Sequence, residues 1–471
     1  MSKSVRQLRR LSEIVAVFTA FYWHGFIQNR GNHEIVFQKR ALLLRQSLEK
    51  LGSVFVKFGQ LLSLRPDFLS PFYCRELFYL LEDVPPFPYL EVEKIIKEDF
   101  GTTPIQLFKS FQKTPCAAAS FGQVHVAYLR SGEKVAIKIR RPLIKETVEE
   151  DIVLMKILSK LIDLLPLGPN KLGPLIQEFE IWTRGELDYK KEADYTEKYY
   201  LSVVGNPKSI TGPKIYRDFC SERVLTTEFI EGVTLYRVLL AIRNKDSKTL
   251  RKLKQMGFSQ KSVAEAILQN TIRQVFLQGV FHADPHPANI IFMPSGKLAY
   301  IDFGNYGEID QATRIKELRY LRSLFYHDKE NAFEALCSLC DISQVKDLPS
   351  FRKEHDRIVD ETMEALENNK NNPQVLGGKK LMATLNLNQR YKVKIPYHMV
   401  KYFRMMGILE SLVISLYPQI KISDLAAKFR NVSIVNLLVS LPAVINKENF
   451  DSRLLRWVNL LEKEITKNVV E

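Results

Sequence analysis

The chain has 471 residues, of which 46% are hydrophobic and 26% charged, an ordinary balance for a folded protein that excludes global disorder. Lysine and arginine number 68 against 53 aspartates and glutamates, which gives a formal net charge of +15. This surplus favours anionic partners. The sequence has no arginine-rich or glycine-rich RNA-binding run and no paired zinc-finger spacing, so we expect no nucleic acid among those partners.

Residue composition and hydrophobic periodicity divide the chain into three regions. Residues 1–104 have mostly helical patterns and form an amino-terminal extension. Residues 105–231 contain short β-rich runs followed by helical ones, and residues 232–471 are largely helical except for a loop region at 281–307. We therefore expect an α+β fold with a small sheet-containing lobe, a larger helical lobe and a helical extension in front of them.

Basic residues precede the apolar stretch Ile14–Phe21 at the amino terminus. This stretch is shorter than the ~20 apolar residues of a spanning helix, and bulky residues follow where a signal peptide would have a small-residue cleavage site. A helix of this kind either lies in a membrane interface or docks on the protein's own core. We expect Arg6–Phe26 to contribute to membrane association. The run Val432–Ile445 is also too short to span, and the sequence predicts no transmembrane helix.

Two strands joined by a turn are predicted in the small lobe. They are Gln123–Leu129 and Lys134–Ile139, and Ser131–Gly132 between them is typical of a hairpin. A third strand is expected at Arg223–Ile230, leading to Glu231–Gly232, where the glycine is a plausible hinge between lobes.

The strongest chemical signal is the run His282–Asn289, followed closely by Tyr300–Gly304. Phosphoryl transfer needs one carboxylate to orient the attacking group and separate oxygen ligands for Mg²⁺ on the phosphates. Asp284 with Asn289 five residues later matches the catalytic loop of kinases, and Asp302 heads an Asp-Phe-Gly motif. We therefore predict that Asp284 positions the nucleophile, while Asn289 and Asp302 hold Mg²⁺.

A zinc site is the alternative interpretation of His282 and His286. Both side chains can bind zinc, and an aspartate lies between them. The pattern lacks the helical glutamate context of a zinc protease, however, and Pro285 and Pro287 disfavour a helix. The kinase-like interpretation is the better supported of the two.

A nucleotide-binding region is predicted upstream. Val135–Lys138 matches the strand that carries the ATP-binding lysine of kinases. Before it, the alanine-rich stretch Ala117–Val124 has the frame of a phosphate loop in which alanine replaces two of three glycines. Glycine permits a positive φ and a close backbone approach to phosphate, so alanine predicts a stiffer loop, and Ala119→Gly is expected to change nucleotide affinity. The predicted nucleotide-binding residues are Ala117, Ala118, Ala119, Ser120, Gly122, Lys138 and Glu228.

Two further polar motifs lie on predicted helices. Lys57 and Gln60 are three residues apart and share a helix face. Glu186, Asp188 and Glu192 lie on a second helical run, with Asp188 and Glu192 four apart. Taken alone, either motif would be interpreted as solvated surface charge.

Together these motifs resemble those of the UbiB family of atypical kinases, over roughly residues 10–430. The resemblance implies ATP and Mg²⁺ as cofactors. It also implies that the Lys-x-Gly-Gln helix closes the cleft by facing the Glu-x-Asp motif, while Glu192 forms an ion pair with Lys138. The residues with an occluding, regulatory role are then Lys57, Gln60, Glu186 and Asp188. The matching motifs are Lys57–Gln60, Ala117–Ser120, Glu186–Tyr189 with Glu192, His282–Asn289 and Asp302–Gly304.

The family supports isoprenoid quinone and prenyl-lipid metabolism, and its members are ATPases or small-molecule kinases rather than protein kinases. The resemblance therefore implies an atypical kinase or ATPase, with Asp284, Lys138 and Glu192 as catalytic residues. Its expected partners are anionic lipid, a prenyl-lipid or quinone precursor and a biosynthetic protein complex. The expected location is peripheral, at the cytoplasmic face of a membrane, with a mitochondrial or plastid location left open.

Two alternatives remain for the function. The first is a non-catalytic, nucleotide-gated lipid-binding or scaffold protein that uses the same pocket. The second is a protein Ser/Thr kinase, which the sequence disfavours because Ala283 and His286 replace the arginine and lysine of protein kinases and no Ala-Pro-Glu follows Gly304. Ala288 and Asn305–Tyr306 also depart from the UbiB pattern, which affects the expected loop geometry and substrate side.

Overall fold

The computed structural model describes most residues of the chain up to position 419. The described residues are 3–27, 34–63, 69–77, 80, 85–164, 172–203, 210–325, 328–368, 387, 390–393 and 395–419. The chain divides into two units, the first comprising residues 1–233 and 289–305 and the second residues 234–288 and 306–471. Regions 1–104 and 105–231 thus fall in one unit, and the three-domain division stays a prediction.

The amino-terminal extension is helical and shares its core with later helices of the first unit. Apolar residues spaced three and four apart on α2, such as Leu44, Leu48 and Leu51, are buried on one face. They join a cluster that includes Phe179 and Trp182 of helix α8 (Leu172–Glu186). The helices of the extension are α1 (Lys3–Tyr22), α2 (Glu34–Leu51), α3 (Ser53–Ser63) and α4 (Pro71–Leu77), and a π-helical turn (Trp23–Ile27) follows α1.

Helix α1 has one docked face and one exposed face. On the docked face, Ile14 and Val17 are buried, and Arg10 donates to both carboxylate oxygens of Asp151, at 2.8 and 2.9 Å. Asp151 is buried on helix α7 (Ile144–Asp163). Arg6 forms a salt bridge with Glu150, the residue before Asp151 on the same helix. Docking on the protein's own core, one of the two possibilities for this stretch, therefore holds for this face. The exposed face of α1 and its π-helical turn carries apolar side chains: Val5, Leu8, Val15, Tyr22, Trp23 and Phe26.

The predicted strands and their hairpin are present in the first sheet. Strands β3 and β4 pair along their whole length in antiparallel register, and Gly132 takes a φ of +105° in the turn between them. Alternate residues Val135, Ile137 and Ile139 of β4 are fully buried, since they pack on helix α5. The strands are β1 (Ser110–Phe111), β2 (Ala117–Ala118), β3 (Gly122–Tyr128), β4 (Lys134–Arg140) and β6 (Val224–Glu228), in the order β1-β3-β4-β6 with β2 on β3, and α5 spans Tyr89–Phe100.

A second, smaller sheet carries the end of the predicted catalytic region. Strand β9 (Ile290–Phe292) pairs antiparallel with β10 (Leu298–Tyr300), and β10 also pairs with β5 (Ile210–Thr211). Strand β7 (Val233–Thr234) flanks β9. Helix α6 (Pro104–Leu107) precedes the first sheet, and helix α9 (Tyr189–Val203) lies between α8 and β5 in the chain.

The second unit is mainly helical, as predicted for this part of the chain. A short antiparallel pair, β8 (Val280–His282) with β11 (Tyr306–Glu308), is its sheet component among the described residues. Its helices are α10 (Leu235–Arg243), α11 (Ser247–Gln255), α12 (Gln260–Ile272), α13 (Gln311–Phe325), α14 (Lys329–Leu339), α15 (Leu348–Asn368) and α16 (Tyr397–Leu416).

No helix in the described part of the chain has an apolar stretch long enough to cross a membrane. The run Val432–Ile445 lies outside the described residues.

Glu317 of α13 is a carboxylic acid inside the core of the second unit. Glu317 is 2% exposed, and the hydroxyl of Tyr402 on α16 donates a hydrogen bond to its carboxyl group. Burial raises the pKa of Glu317 from 4.5 to about 7, although the hydrogen bond from Tyr402 opposes this change. The folded protein therefore binds a proton here more tightly than the unfolded chain does.

This proton makes stability depend on pH. Because the folded pKa is the higher one, the stabilisation is complete below the unfolded value and is lost as pH rises through about 7. We expect Glu317 to contribute a fall on the order of 3 kcal/mol in the free energy of unfolding between about pH 5 and pH 8, and Glu317→Gln to remove this contribution. Urea denaturation at both pH values measures it, with Glu330→Gln, at an exposed site on α14, as the control. An unchanged pH dependence in Glu317→Gln would contradict the assignment.

Candidate active site

Lys138 lies at the centre of a charged cluster in the first unit. Its ammonium donates to both carboxylate oxygens of Glu192, at 2.8 and 3.0 Å, and to Oδ1 of Asp302, at 3.3 Å. Lys138 is on the opposite face of β4 from Ile137 and Ile139, and Glu192 lies in the first turn of α9. The ion pair of Lys138 with Glu192 that the resemblance implied is therefore present, and Asp302 is within contact distance of the same ammonium.

The electrostatics of the cluster keep Lys138 charged. Burial alone would lower the pKa of Lys138, but the carboxylates of Asp302 and Glu192 raise it well above its usual value. Burial also raises the pKa of Glu192 to about 7, although Lys138 opposes this change. Glu192 is 2% exposed, whereas the Asp302 side chain is 46% exposed. The outer carboxylate is thus open to a ligand, and the inner one is enclosed.

Asp302 has an unusual backbone conformation. Its φ is +60°, which non-glycine residues rarely adopt, and its Oδ1 accepts from the Gly304 amide at 3.2 Å. The next residue, Phe303, is buried, and its ring lies 4.7 Å from that of Tyr199 on α9. Burial of Phe303 and the local hydrogen bond hold Asp302 in this conformation, and strain of this kind is concentrated at functional sites.

Asn289 is placed beside the Asp-Phe-Gly segment by the β9–β10 pair. Tyr300 pairs with Ile290, so the Ile301 amide donates to the Asn289 carbonyl at 2.9 Å. A carboxylate and an amide oxygen are hard ligands of the kind that Mg²⁺ prefers when nucleotide phosphates complete its coordination. The described residues hold no group of three or more His, Cys, Asp or Glu side chains that could bind a metal by themselves. Asn289 and Asp302 therefore fit a metal held jointly with phosphate.

Asp284 belongs to the second unit, in the loop after β8. Its backbone carbonyl accepts from the His286 amide at 2.7 Å, and its own amide lies 3.2 Å from Nδ1 of His282. Nδ1 of His286 in turn accepts from the Ala288 amide. One nitrogen of each histidine ring thus accepts a bond from the local backbone. The role of Asp284 in positioning a nucleophile stays a prediction.

The alanine-rich loop forms a tight hairpin. Ala117 and Ala118 pair with Val124 and Gln123, and the Ala119 amide donates to the Gly122 carbonyl at 2.8 Å. Ala119 is not among the described residues with positive φ, so its methyl group imposes no strain of that kind on the backbone. Ala119→Gly consequently has no strain to release. Its amide is already bonded within the hairpin, which leaves the nucleotide-binding role of the loop as a prediction.

The tip of this hairpin packs on the amino-terminal extension. Phe121 is 6% exposed and joins the hydrophobic cluster that contains Val54 and Phe58 of α3. Nζ of Lys57 lies 5.8 Å from the centre of the Phe121 ring and 5.0 Å from that of Trp182. Sequence reasoning missed Phe121. The available signal was a single large aromatic residue within a run of small ones.

Lys57 also forms the buried ion pair implied by the resemblance. Its Nζ lies 2.9 Å from Oε2 of Glu186, and the two side chains are 9% and 13% exposed. The other two residues of these motifs have different partners. Gln60 donates to the Leu80 carbonyl at 3.2 Å, and Asp188 caps α9 by accepting from the Lys191 amide at 3.1 Å. Lys57 and Glu186 therefore meet as the resemblance implied, Gln60 and Asp188 bond to other groups, and the occluding role of the four residues stays a prediction.

Tyr189 is a second residue that sequence reasoning passed over. It is 1% exposed, and its ring centre lies 5.3 Å from Nζ of Lys138. A side chain at Gly122 would approach the Tyr189 hydroxyl to 2.7 Å and the Ile139 carbonyl to 2.6 Å, so this position requires glycine for close packing. Tyr189 thus fixes the distance between the hairpin and Lys138.

A buried polar chain ties the hairpin to the linker after α4. Gln123 accepts from the Phe87 amide at 2.9 Å and donates to the Phe87 carbonyl at 3.3 Å. Its amide nitrogen also lies 2.9 Å from Nε2 of His125, whose Nδ1 bonds the Gln112 carbonyl at 2.8 Å. Burial lowers the pKa of His125, although the bond to Gln112 opposes this change, so the neutral ring is favoured.

Glu228 lies at the end of β6, opposite Val135 of β4. Its carboxylate accepts from the Lys214 amide at 3.3 Å, and its own amide donates to the Lys214 carbonyl. The contact of Glu228 with nucleotide stays a prediction.

Comparison with known proteins identifies the family. Residues 79–336 match the family model described as an ABC1 atypical kinase-like domain, which covers more than half of the chain and contains the cluster around Lys138. The chain belongs to the ABC1 family of atypical kinase-like proteins. The resemblance to the UbiB family drawn from its motifs is thereby confirmed.

The relatives of this ABC1 family member include plastid and bacterial proteins. It is 32% identical over 438 residues to Protein ACTIVITY OF BC1 COMPLEX KINASE 3, chloroplastic, of Arabidopsis thaliana, a match that covers 91% of this chain and 58% of that protein. It is 35% identical over 302 residues to kinase 1 of the same series, covering 62% of this chain and 42% of the relative. The chain thus spans about half the length of these plant relatives.

The fold has a counterpart among solved structures. The Mycobacterium tuberculosis protein Rv3197, solved in complex with erythromycin, matches with a TM-score of 0.52 at 21% identity, over 76% of this chain and 87% of that one. With the family match, this confirms the predicted α+β, bilobal protein-kinase-like fold.

The buried pair of Lys57 and Glu186 should contribute to stability as a unit. Lys57→Met leaves the Glu186 carboxylate buried without its cation, and we expect a loss on the order of 3 kcal/mol in the free energy of unfolding. The double variant Lys57→Met/Glu186→Gln should recover at least half of it, because both charges are then removed. Lys145→Met, which removes an exposed contact with Glu222, serves as the control and should cost under about 1 kcal/mol. Urea denaturation measures these variants together with Glu186→Gln alone, and strictly additive effects of the two single changes would show that the pair is not coupled.

Proposed function

We propose that the protein is an atypical, ATP-binding enzyme, an ATPase or a phosphotransferase for a small molecule or lipid, that supports isoprenoid quinone or prenyl-lipid biosynthesis at a membrane. The observation that carries the proposal is the contact of Lys138 with both Glu192 and Asp302. A partly buried cation held by one enclosed and one open carboxylate is the arrangement that kinases use to hold nucleotide phosphates and their metal.

The described residues would divide the work of binding ATP. Lys138, kept charged by its two carboxylates, would bind phosphate oxygens, while Glu192 fixes the orientation of its ammonium. Asp302 and Asn289 would hold Mg²⁺, which neutralises charge on the phosphates during transfer. Asp284 would orient the attacking hydroxyl or water. ATP and Mg²⁺ are thus the proposed cofactors.

A small acceptor is favoured over a peptide. The tip of the alanine-rich hairpin is packed against α3 through Phe121, and Lys57 beneath it is held by Glu186. Helix α3 therefore occupies space beside the hairpin, and the sequence lacks the Ala-Pro-Glu motif of protein kinases. A protein Ser/Thr kinase is accordingly the weakest of the candidate functions.

The lipid connection and the location are supported by two observations. The exposed face of α1 presents aromatic and aliphatic side chains to the outside, and the chain carries a net charge of +15. The plant relatives are named as chloroplastic, which favours an organellar site, peripheral to a membrane, over the cytoplasmic face of another membrane. A quinone or prenyl-lipid precursor and a biosynthetic protein complex are the proposed partners, and nucleic acid is not among them.

Asp302→Asn tests the enzymatic part of the proposal. The change removes the charge that would hold Mg²⁺, so we expect ATP turnover to fall by about a hundredfold or more. Asp218→Asn, at an exposed position of the same unit, should leave turnover unchanged. Turnover is measured on purified protein, with and without anionic liposomes and prenyl-phenol compounds.

The outcomes separate the candidate functions. Full activity in Asp302→Asn would rule out the proposed site. Nucleotide binding by the unaltered protein with no turnover under any of these conditions would favour the nucleotide-gated scaffold instead. Turnover that ignores both lipid additives would remove the lipid connection while keeping the ATPase.

The exposed face of α1 should contribute to membrane binding. Deleting Arg6–Phe26 is not a clean test, because it also removes Ile14 and Val17 from the core and leaves Asp151 without Arg10. We expect the triple variant Leu8→Ser/Val15→Ser/Trp23→Ser to bind anionic vesicles about tenfold more weakly. The substitutions remove apolar side chains whose transfer from water into the membrane interface would favour binding.

A matched triple variant controls for the loss of exposed apolar surface. Leu90, Ile105 and Leu201 are 75%, 66% and 66% exposed and lie on α5, α6 and α9. Their replacement by serine should leave vesicle flotation unchanged. Equal losses in both triple variants would mean that α1 has no special part in membrane binding.

A further inference from the structure

The hairpin of helices α10 and α11 concentrates positive charge in the second unit. Residues 243–261, a segment of 19 residues, contain seven basic residues and one acidic residue, a net charge of +6 against +15 for the whole chain. The basic residues are Arg243, Lys245, Lys248, Arg251, Lys252, Lys254 and Lys261. We refer to residues 243–261 as the basic hairpin.

The cations of the basic hairpin face solvent and are not neutralised. All seven are exposed, and none takes part in a salt bridge within the part of the chain that the structure describes. The one carboxylate of the segment, Asp246, is engaged as the cap of α11, where it accepts from the amides of Lys248 and Thr249, at 3.1 and 3.2 Å. The segment therefore presents a nearly uniform positive surface.

Folding does not require this charge. The basic hairpin is anchored by Leu253, which is 1% exposed. Backbone hydrogen bonds from the Asp246 amide to the Ala241 carbonyl and from the Phe258 amide to the Leu253 carbonyl also hold it. Lys252 and Lys254 lie in the last turn of α11, where the helix dipole favours a cation, but the charge at the start of the helix is unfavourable. Lys248 lies in the first turn of α11, where the helix dipole disfavours a positive charge, and it is four residues from Lys252. Like charges at this spacing destabilise a helix, so an external partner is the simplest reason for their presence.

We propose that the basic hairpin binds the surface of an anionic phospholipid bilayer. This inference rests on the membrane part of the proposed function and assigns the electrostatic contact to residues 243–261. Stable peripheral attachment needs two signals, such as an apolar insertion and a polybasic patch. The exposed face of α1 provides the first kind of signal, and the basic hairpin the second.

A lipid surface fits the segment better than nucleic acid does. Single-stranded nucleic acid is held by aromatic side chains on which bases stack, alternating with cations. The sole aromatic residue of the segment, Phe258, is half-buried. An array of cations on flexible stems, without an aromatic platform, suits headgroups that can rearrange around it.

Neutralising four of the cations tests the proposal. The variant Lys248→Gln/Arg251→Gln/Lys252→Gln/Lys254→Gln lowers the net charge of the chain from +15 to +11. Vesicles of phosphatidylcholine alone, or mixed with phosphatidylglycerol, are the probe, and flotation is the measurement. Each basic residue near such a surface contributes about fivefold in affinity. We expect at least about a tenfold loss on anionic vesicles, since not every cation need touch the surface.

The control variant has the same net charge but a dispersed set of changes: Lys94→Gln/Lys97→Gln/Lys346→Gln/Lys353→Gln, all at exposed positions. It should bind anionic vesicles like the unaltered protein. A charge-retaining variant, Lys248→Arg/Lys252→Arg/Lys254→Arg, should also bind normally, because the positive charge is kept. Thermal melting of each variant shows whether it is folded.

Several outcomes would overturn the inference. Equal loss in the neutralised and control variants would assign binding to net charge alone, and unchanged binding in the neutralised variant would place the contact elsewhere. Binding of single-stranded RNA that depends on the hairpin, with no binding of vesicles, would assign it to nucleic acid. Vesicle flotation needs no nucleotide, so its result is independent of whether Asp302 supports ATP turnover.

Discussion

The positive charge of Lys138 is the constraint on which the rest of the first unit depends. Even a partly buried ammonium is costly unless carboxylates compensate it, and for Lys138 they come from α9 and from the segment after β10. Three elements distant in sequence must therefore meet at one point. Glu192 compensates the charge from the enclosed side, while the carboxylate of Asp302 is 46% exposed. In the proposed function, this exposed carboxylate would exchange its contact with lysine for one with a metal.

The amino-terminal extension makes a second connected set of contacts around this cluster. Lys57 joins the hairpin tip, α8 and α3 through Phe121, Trp182 and Glu186. Because an interior is close-packed, displacing any one of these groups would leave a void or an unpaired charge. The alanine-rich hairpin is thus held by the packing of Phe121 at its tip and by the hydrogen bond between Ala119 and Gly122 that closes its turn. Its rigidity comes from neighbours, and the identity of the alanines plays a smaller part.

The ion pair of Lys138 with Glu192 could be predicted from the family resemblance, which the fixed spacing and residue types of the kinase-like motifs made recognisable. The backbone conformation of Ala119 could not be predicted, because φ is set by the pairing of β2 with β3 and cannot be inferred from residue type alone. The hydrogen-bond partner of Gln60 could not be predicted for a similar reason. Its acceptor is a main-chain carbonyl twenty residues away, and any residue could provide it. The fold class followed from periodicity, whereas packing partners such as Phe121 depend on tertiary contacts that periodicity does not encode.

The order in which the chain is synthesised gives the division into units a further meaning. Residues 289–305, with β9, β10 and Asp302, belong to the first unit, but 55 residues of the second unit precede them in the chain. During translation the first 233 residues emerge without the two strands and the carboxylate that complete their unit. Until residues 289–305 have left the ribosome, Glu192 is the one carboxylate of the cluster that can pair with Lys138, and the second sheet lacks β9 and β10. The charged cluster around Lys138 is therefore complete only when a stretch of the second unit has already been synthesised between its parts.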